Sequence, residues 1–351
     1  MRVLVIRFRQ MGDAVLATSL LNTIRHNFPD AIIDYVLNDR IAPLFENHPS
    51  IDHLITFTDA ERHAPFVYIR KIWGIMHRHH YDVIMDLRST VNTTLFALLS
   101  PFTKYRIGLD KSYVSLIYNY KISLSKPDES VVFHDLKFIG PLERIKPIER
   151  ISRFTLGITD KEKSDFRTYI QQCGVELTKP IILAGITSKL HNKTWNEDNM
   201  VFVLGHIIKK YPDVQIIFNY VPEKEEPAAR RIYSKLTDAV PTDKVFVDVQ
   251  ANSPRQLAAM SGLITLYFGN EGGSRHIAEA VGKPSFVICS PNVRKANWLP
   301  ESDIPSYGVD VMDILSAEQL SAMEYQEQYD AVTKEYVWDQ LQKFIDGNHL
   351  L

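Results

Sequence analysis

One pattern restricts this chain more than any other. Short apolar runs of strand length alternate with longer stretches whose apolar residues recur at helical spacing. RVLVI (residues 2–6) leads through a polar, glycine-containing loop, RFRQMGD, into the helical stretch AVLATSLLNTIRHNF. The alternation returns at AIIDYVLN (31–38), HLITF (53–57) and YDVIMDL (81–87). Such an order requires a parallel sheet covered by helices, so the first half reads as doubly wound α/β. After Lys146-Pro147 the chain turns charged and irregular, and a second series begins. It runs KPIILAGI (179–186), VQIIFNYV (214–221), KVFVDV (244–249), LITLYFGN (263–270) and SFVICS (285–290). The break lies between about 151 and 178, and we set the domains at 1–165 and 166–315. The stretch 316–351, from Ser316 to a helical pattern ending near Gly347, reads as a carboxy-terminal helical segment. The halves share no residue-level repeat, so their likeness is architectural.

At 351 residues the chain has room for two domains, each with its own core. Its 40 basic and 42 acidic residues nearly cancel, so global charge names no partner. With no basic stripe and no recognised module, nucleic-acid binding is not expected. The loop after the first strand has no GxGxxG, which argues against a dinucleotide-dependent oxidoreductase. Cys173 and Cys289 make neither a disulfide framework nor a CxxC motif, and a reducing cytoplasm fits. The first apolar run, four residues before Arg7, is too short for a signal sequence, and no apolar run is long enough to span a membrane.

Ligands of open α/β sheets bind beyond the carboxyl ends of strands, where helix amino termini favour anions. Three loops there carry chemistry. In RFRQMGDAV, Gly12 permits a tight approach and Asp13 stands where an N-cap or first-turn acid belongs. Capping accounts for the bare pattern; the functional reading makes Asp13 a general base, with Arg7 and Arg9 to hold an anionic acceptor. GITSKLHNKTW (185–195) gathers Thr187, Ser188, Lys189, His191 and Lys193, a set suited to a diphosphate although it is not a Walker A loop. A plainly solvated basic loop is the other reading. In GNEGGSRHIAEAVGKP (269–284), Gly272 and Gly273 free the backbone to approach a ligand, Glu271 can accept from sugar hydroxyls or hold a lysine, and His276 can donate to a phosphate. A strand-to-helix turn with glycines at positive φ and a half-buried histidine accounts for the same letters.

Two further stretches read more simply. HRHHY (77–81) has no carboxylate at helical ligand spacing, and no metal site is assigned. RKIWGIMHR (70–78) mixes Arg70, Lys71, Trp73 and Arg78 on a helix, which fits a solvated face with a packed tryptophan or contact with an anionic membrane.

Over residues 1 to about 300 the sequence resembles glycosyltransferase family 9, the ADP-heptose:lipopolysaccharide heptosyltransferase family of bacterial outer-membrane assembly. VLVIRFRQMGDAVLATSLLNTIRHNFPDAIIDYV is similar to its opening strand, Gly-Asp loop, helix and second strand. YDVIMDLRST and RIGLD (106–110) resemble its later acceptor-domain pair. KTWN (193–196) resembles its K-x-W-P, and SPRQLAAMSG (253–262) the helix before its final motif. That motif, D-[ST]-G-x-x-H with a small-residue helix and G-x-P, is matched by Glu271, Gly273, His276, Ala278, Ala280, Gly282 and Pro284. Glu271 replaces the usual aspartate, Gly272 its Ser or Thr, and Asn196 its proline. The longer acid moves the carboxylate by roughly 1.5 Å, enough to change which hydroxyl it meets.

The resemblance implies a GT-B arrangement, two Rossmann-like domains facing a cleft, with acceptor on the first and nucleotide sugar on the second. It implies inversion at the anomeric carbon with no catalytic metal and no cofactor. Carried over, Asp13 deprotonates the acceptor hydroxyl, while Lys193, Thr187 and Ser188 stabilise the leaving diphosphate. Glu271 meets the donor sugar, Gly272, Gly273 and His276 the diphosphate, and one of Glu223, Glu225 or Glu226 the ribose. The expected donor is ADP-heptose and the acceptor a lipid-linked saccharide of the lipopolysaccharide-core kind. The protein is then expected in the cytoplasm, with peripheral contact at the inner membrane. The alternatives are a GT-B transferase using a UDP- or GDP-hexose in surface polysaccharide assembly, and a non-catalytic saccharide-binding relative.

Overall fold

The computed structural model describes residues 1–114, 116–124, 129–188, 190–299 and 302–351. Lys189 lies outside the described residues, as does the side chain of His191. The chain divides into two units, Met1–Ile158 and Thr159–Leu351.

In the first unit the apolar runs form strands β1 (Arg2–Ile6), β2 (Ile32–Asn38), β3 (His53–Phe57), β4 (Val83–Asp86), β5 (Tyr105–Leu109) and β6 (Tyr120–Ile122). They make one sheet in the order β3-β2-β1-β4-β5-β6, every pair parallel. Val3 pairs with Ile33 on one side and Val83 on the other, so β1 is central and its residues 3–6 are wholly buried. A strand covered on both faces needs an unbroken apolar run, which is what VLVI supplies. Leu4, Ile6, Val36, Phe57, Ile72, Ile84 and Phe96 form the core on one face.

The second unit repeats the plan with β7 (Ile181–Gly185), β8 (Gln215–Asn219), β9 (Val245–Phe246), β10 (Leu266–Asn270), β11 (Ser285–Ile288) and β12 (Ser306–Val309). Its order is β12-β11-β10-β7-β8-β9, again all parallel. Read from β9, this is the same winding as the first sheet. In each unit the strand order reverses beside the first strand, between β1 and β4 and between β7 and β10, and such reversals open a crevice at the carboxyl edge.

The structure shifts some expected boundaries. The units part at Thr159, ahead of the expected 165/166 break, because Thr159 and Glu162 form a capping box that starts the helix Asp160–Gln172. A division at 165 would cut that helix. The carboxy-terminal segment belongs to the second unit, since Val332, Val337, Leu341 and Ile345 are buried in its core. The long first helix is two, Met11–Leu16 and Thr18–Asn27, meeting at Ala17. Strands β6 and β12 have no counterpart in the sequence reading; both are short edge strands with too few apolar residues to stand out.

Candidate functional site

At the carboxyl end of β1 the chain passes through residues 7–10 into Met11–Leu16, placing Asp13 in the first turn of that helix, with Gln10 as N-cap and Gly12 buried beside it. The Asp13 carboxylate does not cap. It accepts from Arg7 Nη2 at 3.4 Å and from Arg9 Nη1 at 3.2 Å, and the residue is only 7% exposed. Arg9 is 45% exposed at its side chain, a cation able to meet a ligand. Arg7 is not: buried at 5% exposure, it also reaches Asp135 Oδ1 at 3.2 Å and the Leu87 carbonyl at 3.4 Å. Direct acceptor contact by Arg7, expected from the sequence, gives way to a holding role behind Asp13, because the sheet edge encloses its guanidinium.

Asp135 comes from the helix Val131–Leu136 and is fully enclosed. Burial pushes its carboxyl up to about 6, against the pull of Arg7 and with the nearby Asp13 adding to the rise. Across the strand reversal, the loop after β4 supplies Arg88, whose pKa is lowered by burial and then by Arg9 and Arg7, so three guanidinium groups share this edge. Ser89 holds that loop in the left-handed region, at φ 47°. Its N–H donates to Asp86 Oδ1 at 2.8 Å and its hydroxyl accepts from Leu109 N at 2.7 Å, bonds that keep the unusual backbone in place.

In the second unit the two motif loops leave β7 and β10, the strands that flank the reversal. Lys193 Nζ meets Glu271 Oε1 at 2.7 Å, and the Ser290 hydroxyl donates to the same oxygen at 2.9 Å. Asn270 stitches the loops together, accepting from Trp195 N at 2.7 Å and donating to the Gly185 carbonyl at 3.0 Å. Thr187 Oγ1 donates to Glu225 Oε2 at 2.8 Å, and Ser188 N donates to Thr194 Oγ1 at 3.0 Å. Of the three candidate ribose acids, Glu225 is thus tied to Thr187 and Glu226 to Arg230. Glu223, in the left-handed region at φ 70°, has no hydrogen-bond partner among the described residues.

The helix Gly273–Ala280 starts with no side-chain cap, and its N-cap Gly272 has an extended backbone. The expected positive φ is therefore absent at Gly272 and Gly273. It falls instead at Gly269 (φ 144°), where a Cβ would strike the Gly185 backbone. A Cβ at Gly272 would meet nothing within 4 Å, so the first N–H groups of this helix lie open to an anion. The far end closes as a Schellman motif: Gly282 (φ 86°) donates to the Glu279 carbonyl and Lys283 to the Ala278 carbonyl.

His276, expected at the diphosphate, is turned inward at 5% exposure. Its ring lies 3.2 Å from Arg275 Nη2 and 3.8 Å from Glu279, and packs against Trp298. Burial would raise the Glu279 carboxyl, but Arg275, His276 and Ser285 outweigh it and hold it at about 2. The histidine thus supports the helix start through a buried ionic network. Asn196, the departure from the family's proline, caps the helix Glu197–Lys210, accepting from Asp198 N and Asn199 N. That change serves local structure and leaves Lys193 in place.

The sequence reading missed Arg88, Asp135, Ser290, Asn270 and Tyr329. Tyr329 donates to the Lys193 carbonyl at 3.2 Å, beside a Tyr325 bond to the Asn192 carbonyl at 2.7 Å and a Trp195 Nε1 bond to the Val332 carbonyl at 2.9 Å. Asn270 and Arg88 lie inside stretches the sequence reading quoted but carry no signal of their own there, and Asp135, Ser290 and Tyr329 are brought to the loops only by folding.

Residues 69–292 match the model of glycosyltransferase family 9 (heptosyltransferase). Lipopolysaccharide heptosyltransferase 1 of Campylobacter coli is 21% identical over 84% of this chain and 86% of its own length. Lipopolysaccharide heptosyltransferase 3 of Escherichia coli K12 is 20% identical over 79% and 78%. Among solved structures, a family 9 glycosyltransferase from Veillonella parvula superposes with a TM-score of 0.82 at 15% identity, covering 99% of this chain and 97% of that one. An Escherichia coli heptosyltransferase solved with ADP-2-deoxy-2-fluoro heptose gives 0.69 at 16% identity, covering 99% and 100%. The shared fold is GT-B, with two Rossmann-like units.

Proposed function

The chain belongs to glycosyltransferase family 9, and from that premise we propose that it transfers a heptose from ADP-heptose to a lipid-linked saccharide of the lipopolysaccharide core, inverting the anomeric carbon. Its activity is glycosyl transfer. The observation that carries the finer reading is the Lys193–Glu271 pair at the strand reversal of the second unit, beside a helix start with no side-chain cap.

A diphosphate leaving group gains charge as the glycosidic bond breaks, and preorganised donors at that point lower the barrier most. Lys193 supplies the cation, with Thr187, Ser188 and the first N–H groups of Gly273–Ala280 around it. Glu271, oriented by Lys193 and Ser290, takes a hydroxyl of the sugar. Glu223, unengaged, is the acid at hand for the ribose. In the first unit the acceptor hydroxyl gives its proton to Asp13 while its oxygen bonds to the anomeric carbon, and the bonding pair of the old C–O bond leaves with the diphosphate. Arg9 and Arg88 hold anionic groups of the acceptor, and Arg7 keeps Asp13 in place.

Thermal stabilisation by ADP, UDP and GDP at equal concentration tests the donor side. ADP at about 100 times its Kd should add about 2.7 kcal/mol, and Lys193→Ala should lose most of that gain. A preference for UDP or GDP would redirect the donor to a hexose nucleotide, the outcome that the longer Glu271 keeps open. Asp13→Ala should keep the ADP response while turnover falls roughly 10²- to 10⁴-fold. Normal turnover by that variant would remove Asp13 from the chemistry.

A further inference from the structure

We propose that the exposed face of the helix Pro65–Arg78 is a docking surface for an anionic phospholipid bilayer. Tyr68, Ile72 and Met76, spaced four apart, bury one stripe of this helix in the core of the first unit. On a helix of a water-soluble surface the opposite stripe is polar. Here the exposed flank beside the buried stripe carries Phe66 at 90% exposure, Trp73 at 51% and Ile69 at 44%. Arg70 and His77 follow on the side away from the buried stripe, with the His77 ring stacked on Trp73 at 3.6 Å.

The charges on this face are of one sign. Residues 65–78 contain Arg70, Lys71 and Arg78 and no carboxylate. The carboxylates of the preceding helix are engaged, Glu61 by Lys71 at 2.7 Å and Asp59 by Arg40 at 2.9 Å. Arg70 and Arg78 form no ion pair among the described residues. The next helix, Thr94–Leu98, packs against this one and leaves Leu98 exposed, and Phe102 is exposed further along the chain. Most exposed large apolar side chains among the described residues lie in the first unit.

Aromatic rings that enter the acyl boundary, ringed by cations that meet lipid phosphates, describe an interfacial helix. A second copy of the same face would set like charges against each other, which disfavours self-pairing. Among the described residues no helix is long and apolar enough to cross a membrane, so the contact is lateral. The inference rests on this helix and not on the transfer chemistry.

Co-sedimentation with vesicles tests it, using phosphatidylcholine alone and phosphatidylcholine with phosphatidylglycerol in equal parts. The wild-type protein should bind the mixed vesicles, less so at high salt. Arg70→Gln with Arg78→Gln should weaken binding roughly 30-fold, and Phe66→Ser with Trp73→Ser roughly tenfold or more. Both double variants should keep the wild-type Tm and the wild-type transfer rate on a delipidated, soluble acceptor. Binding as tight as wild type by both variants, or no wild-type binding to either vesicle, overturns the proposal. Wild-type dimers in light scattering that Trp73→Ser dissolves, without vesicle binding, overturn it in favour of a second copy.

Discussion

Asp13 keeps its place through residues that are not its sequence neighbours. Arg7 lies between it and Asp135, and both carboxylates share one enclosed guanidinium. Burial raises the Asp135 carboxyl to about 6, so between the ordinary aspartate value near ~4 and ~6 the native state holds a proton that the unfolded chain has lost. The stability this contributes is fully present below the unfolded value and is lost as pH rises through about 6. Taking the wild type from pH 7 to pH 5 should therefore add about 1 kcal/mol that Asp135→Asn does not gain. Urea unfolding of both proteins at several pH values checks it; parallel curves would mean that Asp135 titrates as an ordinary carboxyl. Glu271 shows the same dependence on distant residues, since Lys193 and Ser290 orient it from 78 and 19 positions away.

At the scale of elements, the carboxy-terminal helices matter more than their sequence suggests. SAEQLSAMEYQEQYDAVTKEYVWDQLQKFIDG reads as a helical appendage, yet the helix Tyr325–Asp330 supplies Tyr325 and Tyr329 to the carbonyls of Asn192 and Lys193. Val332, just after it, receives the Trp195 indole N–H. The Lys193 loop thus takes its shape from a segment more than 130 residues later. Tyr329→Phe leaves a carbonyl short of its donor, a change that costs about 1–3 kcal/mol when buried. We expect kcat/KM for the donor to fall about tenfold and the ADP-induced thermal shift to shrink with it. A lower Tm with unchanged donor kinetics would reduce Tyr329 to a packing role.

For the whole molecule, two sheets of one winding set charged groups at equivalent reversals, an acid among arginines in the first unit and a lysine–glutamate pair in the second. If the second unit holds the donor, ADP should slow amide exchange at the loop after β7 and at the start of Gly273–Ala280, while the Met11–Leu16 helix exchanges as before. Protection confined to the first unit would reverse the assignment. Much of this was legible in the letters. Alternating apolar runs and helical spacing are local and periodic, so they determined nine of the twelve strands, the parallel winding and the two-unit plan, while β5 was legible only through the resemblance of RIGLD. The motif loops were legible because a strand end, glycines and a helix start are contiguous. Edge strands β6 and β12 were not, because a short strand with one covered side needs no apolar run. Nor were Arg88, Asp135, Ser290 and Tyr329, the enclosure of Arg7 or the inward turn of His276. The sequence by itself determined which glycine-rich and charged loops leave the strands beside the reversals; only the tertiary structure decided which side chain faces which. Burial and partner choice are set by groups far apart along the chain, and no local pattern records them.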